Sequence, residues 1–237
     1  MAFVTLSAES TTRPQRAARN EAQNEAETLT DRAYRELEEL IVTLRIAPGT
    51  VVSEALLSKR LGIGRTPIRE ALQRLARERL VLIMPRRGIV VSEVNVQTQL
   101  RLMEVRRELE RLLARASARR ASEEQRARFR EIAVGIAKST ESGDETEALR
   151  YHREFDALML EASRNEFATS AMALMHGLSR RFWMMHYKSF ASLLQLGQRQ
   201  AAIAEAIARG DRDAAAEASD RLMDYLEDFT RRTIAES

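Results

Sequence analysis

Leu61-Gly62-Ile63-Gly64-Arg65-Thr66-Pro67-Ile68-Arg69-Glu70-Ala71-Leu72 is the stretch that decides the fold. Gly62-Ile63-Gly64 breaks the chain tightly between two helices. Upstream, Ser53 can cap a helix whose inner face carries Leu56, Leu57 and Leu61. Downstream, a helix starts near Arg65 or Thr66. Pro67 falls in its first turn, where a missing N–H costs least, and Ile68, Leu72 and Leu75 are its apolar positions.

Working outward, Tyr34, Leu37, Leu40, Ile41 and Leu44 follow helical spacing from about Leu29, and Pro48-Gly49 stops that helix. On the other side, Val81-Leu82-Ile83 and Ile89-Val90-Val91 flank the turn-like Pro85-Arg86-Arg87-Gly88, a small β-hairpin signal. Three short helices and a hairpin make a winged helix-turn-helix over residues 29–95. The second helix of such a motif enters the major groove of DNA, and its first residues reach the bases.

Charge agrees with that reading. The whole chain of 237 residues carries a net charge of only +3, which announces no partner. Between Lys59 and Arg87, however, nine basic residues face only Glu70 and Glu78. Arg65 and Arg69 lie four apart, on one face at the start of the reading helix. An arginine fork there suits guanine O6 and N7, and Thr66 can offer its hydroxyl to a phosphate. Arg86 and Arg87, beside Gly88 at the hairpin tip, could follow the backbone into the minor groove.

Residues 1–28 are polar and lack apolar periodicity, so a flexible tail is expected. Arg13, Arg16 and Arg19 give it a way to touch phosphate, although composition favours a frayed end. From Val96 the spacing is helical: Leu100, Met103, Leu109, Leu112 and Leu113 mark one segment, and Ser122 with Gln125 resembles a capping box for the next. Breaks follow at Ser142-Gly143-Asp144, Ser163-Arg164-Asn165 and Gly210-Asp211. An antiparallel all-α bundle of six or seven helices over residues 96–237 is the natural architecture, making the chain mainly α.

Composition removes other classes. The absence of cysteine excludes disulfides, thiolate zinc and iron–sulfur clusters. No apolar run approaches membrane-spanning length, and no basic-then-apolar leader opens the chain, so a cytoplasmic protein without membrane contact is expected. A metal-dependent helical-bundle enzyme lacks its signatures: there is no His-Glu-x-x-His, no glycine-rich phosphate loop and no nucleophile elbow. A helical protein-interaction module with an incidental basic face is the other competing class.

The stretch from Pro48-Gly49 through Arg65-Thr66-Pro67-Ile68-Arg69-Glu70-Ala71-Leu72 to Gly88 and Val91 resembles the winged helix of the GntR family of bacterial transcription regulators. The core is complete at Arg65 to Leu72, while Gly64 stands where the family often has Ser. The resemblance implies DNA contacts at Arg65, Thr66 and Arg69 and places Gly88 at the wing tip. Val105-Arg106-Arg107-Glu108-Leu109-Glu110 and the later helices resemble the FCD ligand-binding domain of the FadR-like branch.

Many FCD domains hold a metal with an Asp, a His four residues later and two further His. Here the first two types are interchanged, as His152 and Asp156; the third position falls on Gln200 and the last near Leu222. The site is incomplete, with His176 or His186 as outside candidates for a third ligand, so a metal-free effector pocket is expected ahead of a divalent metal at His152 and Asp156. Arg106, Arg180 or Arg181, with Tyr151, His152, Asp156, Trp183, His186 and Gln200, are its candidate lining. Buried arginine needs an anion, and a small organic acid would serve. The expectation is a homodimeric, ligand-responsive regulator, a repressor by default and not an enzyme, that binds a palindromic double-stranded operator.

Overall fold

Most breaks in the apolar spacing become caps. The first helix is an exception: it ends at Val42, capped by Thr43, so Leu44 lies outside it and Pro48-Gly49 is not its stop. Leu56 faces solvent instead of the inner face of its helix. The computed structural model describes residues 28–84, 88–190 and 192–234, without the side chains of residues 189 and 190. The expected tail and its arginines, and Arg86 and Arg87 at the hairpin tip, lie outside the described residues.

The first module runs α1 (Leu29–Val42), β1 (Val51–Val52), α2 (Glu54–Leu61), α3 (Arg65–Arg77), β2 (Val81–Met84) and β3 (Gly88–Val91). Ser53 Oγ accepts from the Leu56 amide to start α2. Gly62 ends that helix with φ +65°, a left-handed turn that a side chain would strain. The hairpin pairs Val81 with Val91 and Met84 with Gly88. A third strand, β1, adds to its far side through Val51–Val90 and Val52–Ile89, giving the antiparallel order β1-β3-β2. Leu37, Ile41, Leu57, Ile68, Leu72 and Leu75 form the core of this head, under the sheet residues Val52, Val81 and Val91.

Six helices follow among the described residues: α4 (Val96–Arg120), α5 (Glu123–Ser142), α6 (Glu145–Ser163), α7 (Glu166–Phe190), α8 (Leu193–Arg209) and α9 (Arg212–Arg232). The capping box at Ser122 and Gln125 is formed in both directions. Asp144 and Asp211 cap α6 and α9 directly after the left-handed Gly143 and Gly210. Arg126 joins two helix ends, donating to the carbonyls of Ala118 (2.8 Å) and Ile207 (3.0 Å), where the helix dipoles favour a cation. Phe129, Ile132, Phe155, Met159, Ile203, Ile207 and Leu222 lie in one buried cluster. No helix among the described residues is long and apolar enough to cross a membrane.

Helix α7 joins the modules. A Cβ on Gly177 would fall 2.7 Å from Leu80 Cδ1, so this glycine lets the head approach the helix backbone. Leu178 packs against the head core. One turn on, Arg181 Nη2 donates to Ser92 Oγ (2.8 Å) and the Glu93 carbonyl (3.4 Å), and Nη1 to the Leu80 carbonyl (3.5 Å).

Candidate functional site

The outer face of α3 is a polar strip at an open helix end. Ile68, Ala71, Leu72 and Leu75 are buried, which turns Arg65, Thr66, Arg69 and Gln73 to solvent. Gly64 precedes the helix without a side-chain cap, and the first turn holds no acid. Its amide groups and the positive dipole end are therefore left open to an anion. Arg69 is held in place by a fork to Glu54, with bonds of 2.9 and 2.8 Å. Arg74 points elsewhere: its guanidinium lies 3.6 Å from the Tyr34 ring centroid and pairs with Glu78 and Asp31. Tyr34 donates to Glu78 at 2.8 Å, and burial raises the pKa of both groups. Part of the basic run thus holds α3 to α1. Gly88 opens β3 opposite Met84, beside this face.

Gln73 is absent from a reading based on charge alone. It follows Arg65 and Arg69 at the same four-residue interval. Its amide can take adenine N6 and N7 in bidentate fashion.

The second site is a cavity of about 170 Å³ in the bundle. Arg106, His152, Asp156 and Gln200 all line it, with His176 and Arg180. Phe182, Trp183 and Phe229 close its apolar side. Arg106 donates through Nε (3.0 Å) and Nη2 (2.8 Å) to Glu110 Oε1 one turn along α4. Glu110 is buried, and desolvation raises its pKa, partly offset by Arg106. Ser179, which also lines the cavity, has its Oγ buried without a hydrogen-bond partner among the described residues. An unsatisfied hydroxyl inside a cavity asks for a polar ligand or water.

Three expected pocket residues belong elsewhere. Arg181 is 1% exposed and holds the head, and burial pushes its pKa down to about 10. Arg180, its neighbour on α7, lines the cavity, whereas the Nη donors of Arg181 are taken up by Leu80, Ser92 and Glu93 of the head side. His186 packs its ring 4.7 Å from that of Phe182, outside the lining, and burial lowers its pKa. Tyr151 covers Gly135 on α5 instead.

The donor set does not fit a divalent metal. His152 Nδ1 accepts from the Gln200 side-chain amide, and Nε2 lies 3.5 Å from Asp156 Oδ2. Each ring nitrogen thus has a polar neighbour within the protein, and Leu222 offers only carbon. No three His, Asp or Glu side chains group as ligands among the described residues.

His176 gives the cavity a pH signature. Burial drives its pKa from 6.5 down to about 4; Asp156 opposes the shift, and Arg106 and Arg180 reinforce it. Between those values the unfolded chain binds the proton and the folded one does not, so stability rises with pH across the window. His176→Asn is expected to remove up to about 3 kcal/mol of that pH 4 to 6.5 slope. Urea titrations at the two pH values read it, and an unchanged slope would clear His176 of the effect.

Comparison with known proteins agrees with both modules. Residues 29–91 match the gntR family of bacterial regulatory proteins, and residues 101–225 match the FCD domain. The HTH-type transcriptional repressor RspR of Escherichia coli K12 is 34% identical over 102 residues, 43% of this chain and 45% of RspR. The Nta operon transcriptional regulator of Aminobacter aminovorans is 30% identical over 129 residues, 54% of this chain and 60% of that protein. The chain thus spans roughly half the length of these curated relatives. The structure of E. coli McbR/YncC superposes with a TM-score of 0.73 at 18% identity, covering 88% of this chain and 100% of that one. A putative GntR regulator from Rhodococcus sp. RHA1 gives 0.61 at 20% identity, covering 88% and 98%. These two likenesses concern the fold. With both domain matches in their expected order, the chain belongs to the GntR family of bacterial transcription regulators, with a helix-turn-helix head and an FCD bundle.

Proposed function

We propose that the protein binds a palindromic operator as a homodimer and releases it when a small carboxylate enters the bundle. The observation that carries this reading is the pairing of the two sites in one chain. An uncapped recognition helix presents Arg65, Thr66, Arg69 and Gln73. A separate cavity holds Arg106, Arg180 and an unsatisfied Ser179 hydroxyl. Arg86, Arg87 and Gly88 would add backbone contacts from the wing.

Other features support the finer points. Phe167 and Leu174 on α7, with Val105 and Leu112 on α4, are exposed apolar side chains suited to a second copy. The repressor sense accords with the name of RspR. The effector is held without a resident metal, because Arg106 and Arg180 supply the cationic partners that a metal would otherwise provide. Its carboxylate pairs with Arg106 and Arg180, and its apolar part rests on Trp183 and Phe229.

The test is selection of bound duplexes from random sequence by the purified protein, followed by salt titration. Recovery of a two-fold motif is expected, with affinity falling steeply as salt rises. Addition of the recognised acid is expected to dissolve the complex, before and after dialysis against EDTA alike. Recovery of unrelated sequences, or binding indifferent to salt, would overturn the reading.

A further inference from the structure

The cavity does not belong to the bundle alone. Glu39 and Thr43, both reached through α1 of the head, complete its wall beside Arg180. Arg180 works on both sides of that wall. Its Nη1 lies 3.4 Å from Glu38 Oε1 and its Nη2 3.2 Å from Glu39 Oε2. The Glu38 side chain is only 16% exposed, and the carboxylates of Glu78 and Glu39 crowd it. Arg180 is the strongest of the cations that offset this crowding, ahead of Arg74. Ser179, the neighbour of Arg180, contributes the buried hydroxyl that lacks a partner among the described residues.

We propose that a carboxylate in this cavity and the two α1 glutamates compete for the guanidinium of Arg180, so that ligand binding undocks the DNA-reading head. The inference rests on the effector reading and adds the residues through which the effector acts. A guanidinium presents its donors as a planar fork, and a carboxylate takes two of them side by side. When the ligand draws that fork inward, Glu38 stays beside two other carboxylates with its main cation removed. The docked arrangement then loses stability relative to the undocked one, and the ligand gains the differential affinity that a switch requires. Linkage makes the relation reciprocal: weakening the α1 contact strengthens acid binding by the same factor.

Trp183 is the single tryptophan of the chain and lines the cavity, so its fluorescence reports occupancy. The experiment titrates the full chain with acetate, succinate and citrate, and follows hydrogen exchange of α1 in parallel. In Glu38→Gln/Glu39→Gln, the acid that perturbs Trp183 is expected to bind about tenfold more tightly. The α1 amides of the wild type should exchange faster once that acid is added, whereas in the variant, which lacks the carboxylates at positions 38 and 39, the acid should change their exchange less. If the double variant does not fold, Glu39→Gln alone, at a half-exposed position, should tighten binding about threefold. A Trp183 response with unchanged affinity in the variant would overturn the competition and leave the effector reading standing. No response of Trp183 to any of the acids would overturn both.

Discussion

In a mobility-shift titration at fixed salt, Arg65→Ala/Arg69→Ala is expected to lose between roughly a hundred- and ten-thousand-fold in operator affinity. Each arginine fork on a guanine contributes about 1–3 kcal/mol of discrimination, and a two-fold dimer counts every substitution twice. The range is set below the full sum of four such forks, because Arg69 must first leave its fork to Glu54. Both side chains are exposed, so the melting temperature should stay within about 2 °C of the parent. Arg69→Lys keeps the charge without the fork and is expected to fall between, with relaxed sequence preference and nearly unchanged nonspecific binding. An unaltered affinity in the double variant would remove α3 as the reading element.

Phe129→Ala is the largest expected change in stability. Phe129 is fully buried at the centre of the bundle, with its ring 6.2 Å from that of Phe155 in an edge-to-face arrangement. Truncation removes the apolar transfer energy and leaves a void among residues that are themselves buried, for a loss of about 3–5 kcal/mol. For a domain of this size that lowers the melting temperature by roughly 6–20 °C. Phe129 belongs to the bundle cluster and not to that of the head, so the loss should concentrate in unfolding of the bundle. Phe129→Leu, which refills most of the volume, should recover the greater part. A shift below about 2 °C for the alanine variant would mean that the bundle collapses around the void.

What was legible in the sequence was local. Ser53, Ser122, Asp144 and Asp211 sit where they cap, because a cap is a relation between residues three apart. Strand β1 was not legible. Its two residues carry no alternation of their own and pair with Ile89 and Val90, nearly forty positions later. At the recognition helix, a search for charge found Arg65 and Arg69 and passed over Gln73, a neutral residue at the next interval on the same face.

The cavity was legible in part for the same reason. His152 and Asp156 are one turn apart, and Arg106 follows from its helix. Which of Arg180 and Arg181 faces inward depends on how α7 meets the head, and residue type cannot decide it. Glu39 and Thr43 lie more than fifty positions from every other lining residue, so only folding brings them to the wall.

The division into two cores has a consequence for how such a protein can change. The buried clusters of head and bundle have no residue in common, and Leu178 of α7 reaches across to the head. A substitution that repacks one core therefore leaves the packing of the other untouched. Operator preference and effector preference are free to drift separately, by accumulated changes on α3 or around Trp183. The exceptions are the seam where Gly177 admits Leu80 and Arg181 grips Ser92, and the cavity wall where Arg180 pairs with Glu38 and Glu39. There a change on one side demands an answering change on the other, and the lineage keeps its two halves matched through a few atoms of contact.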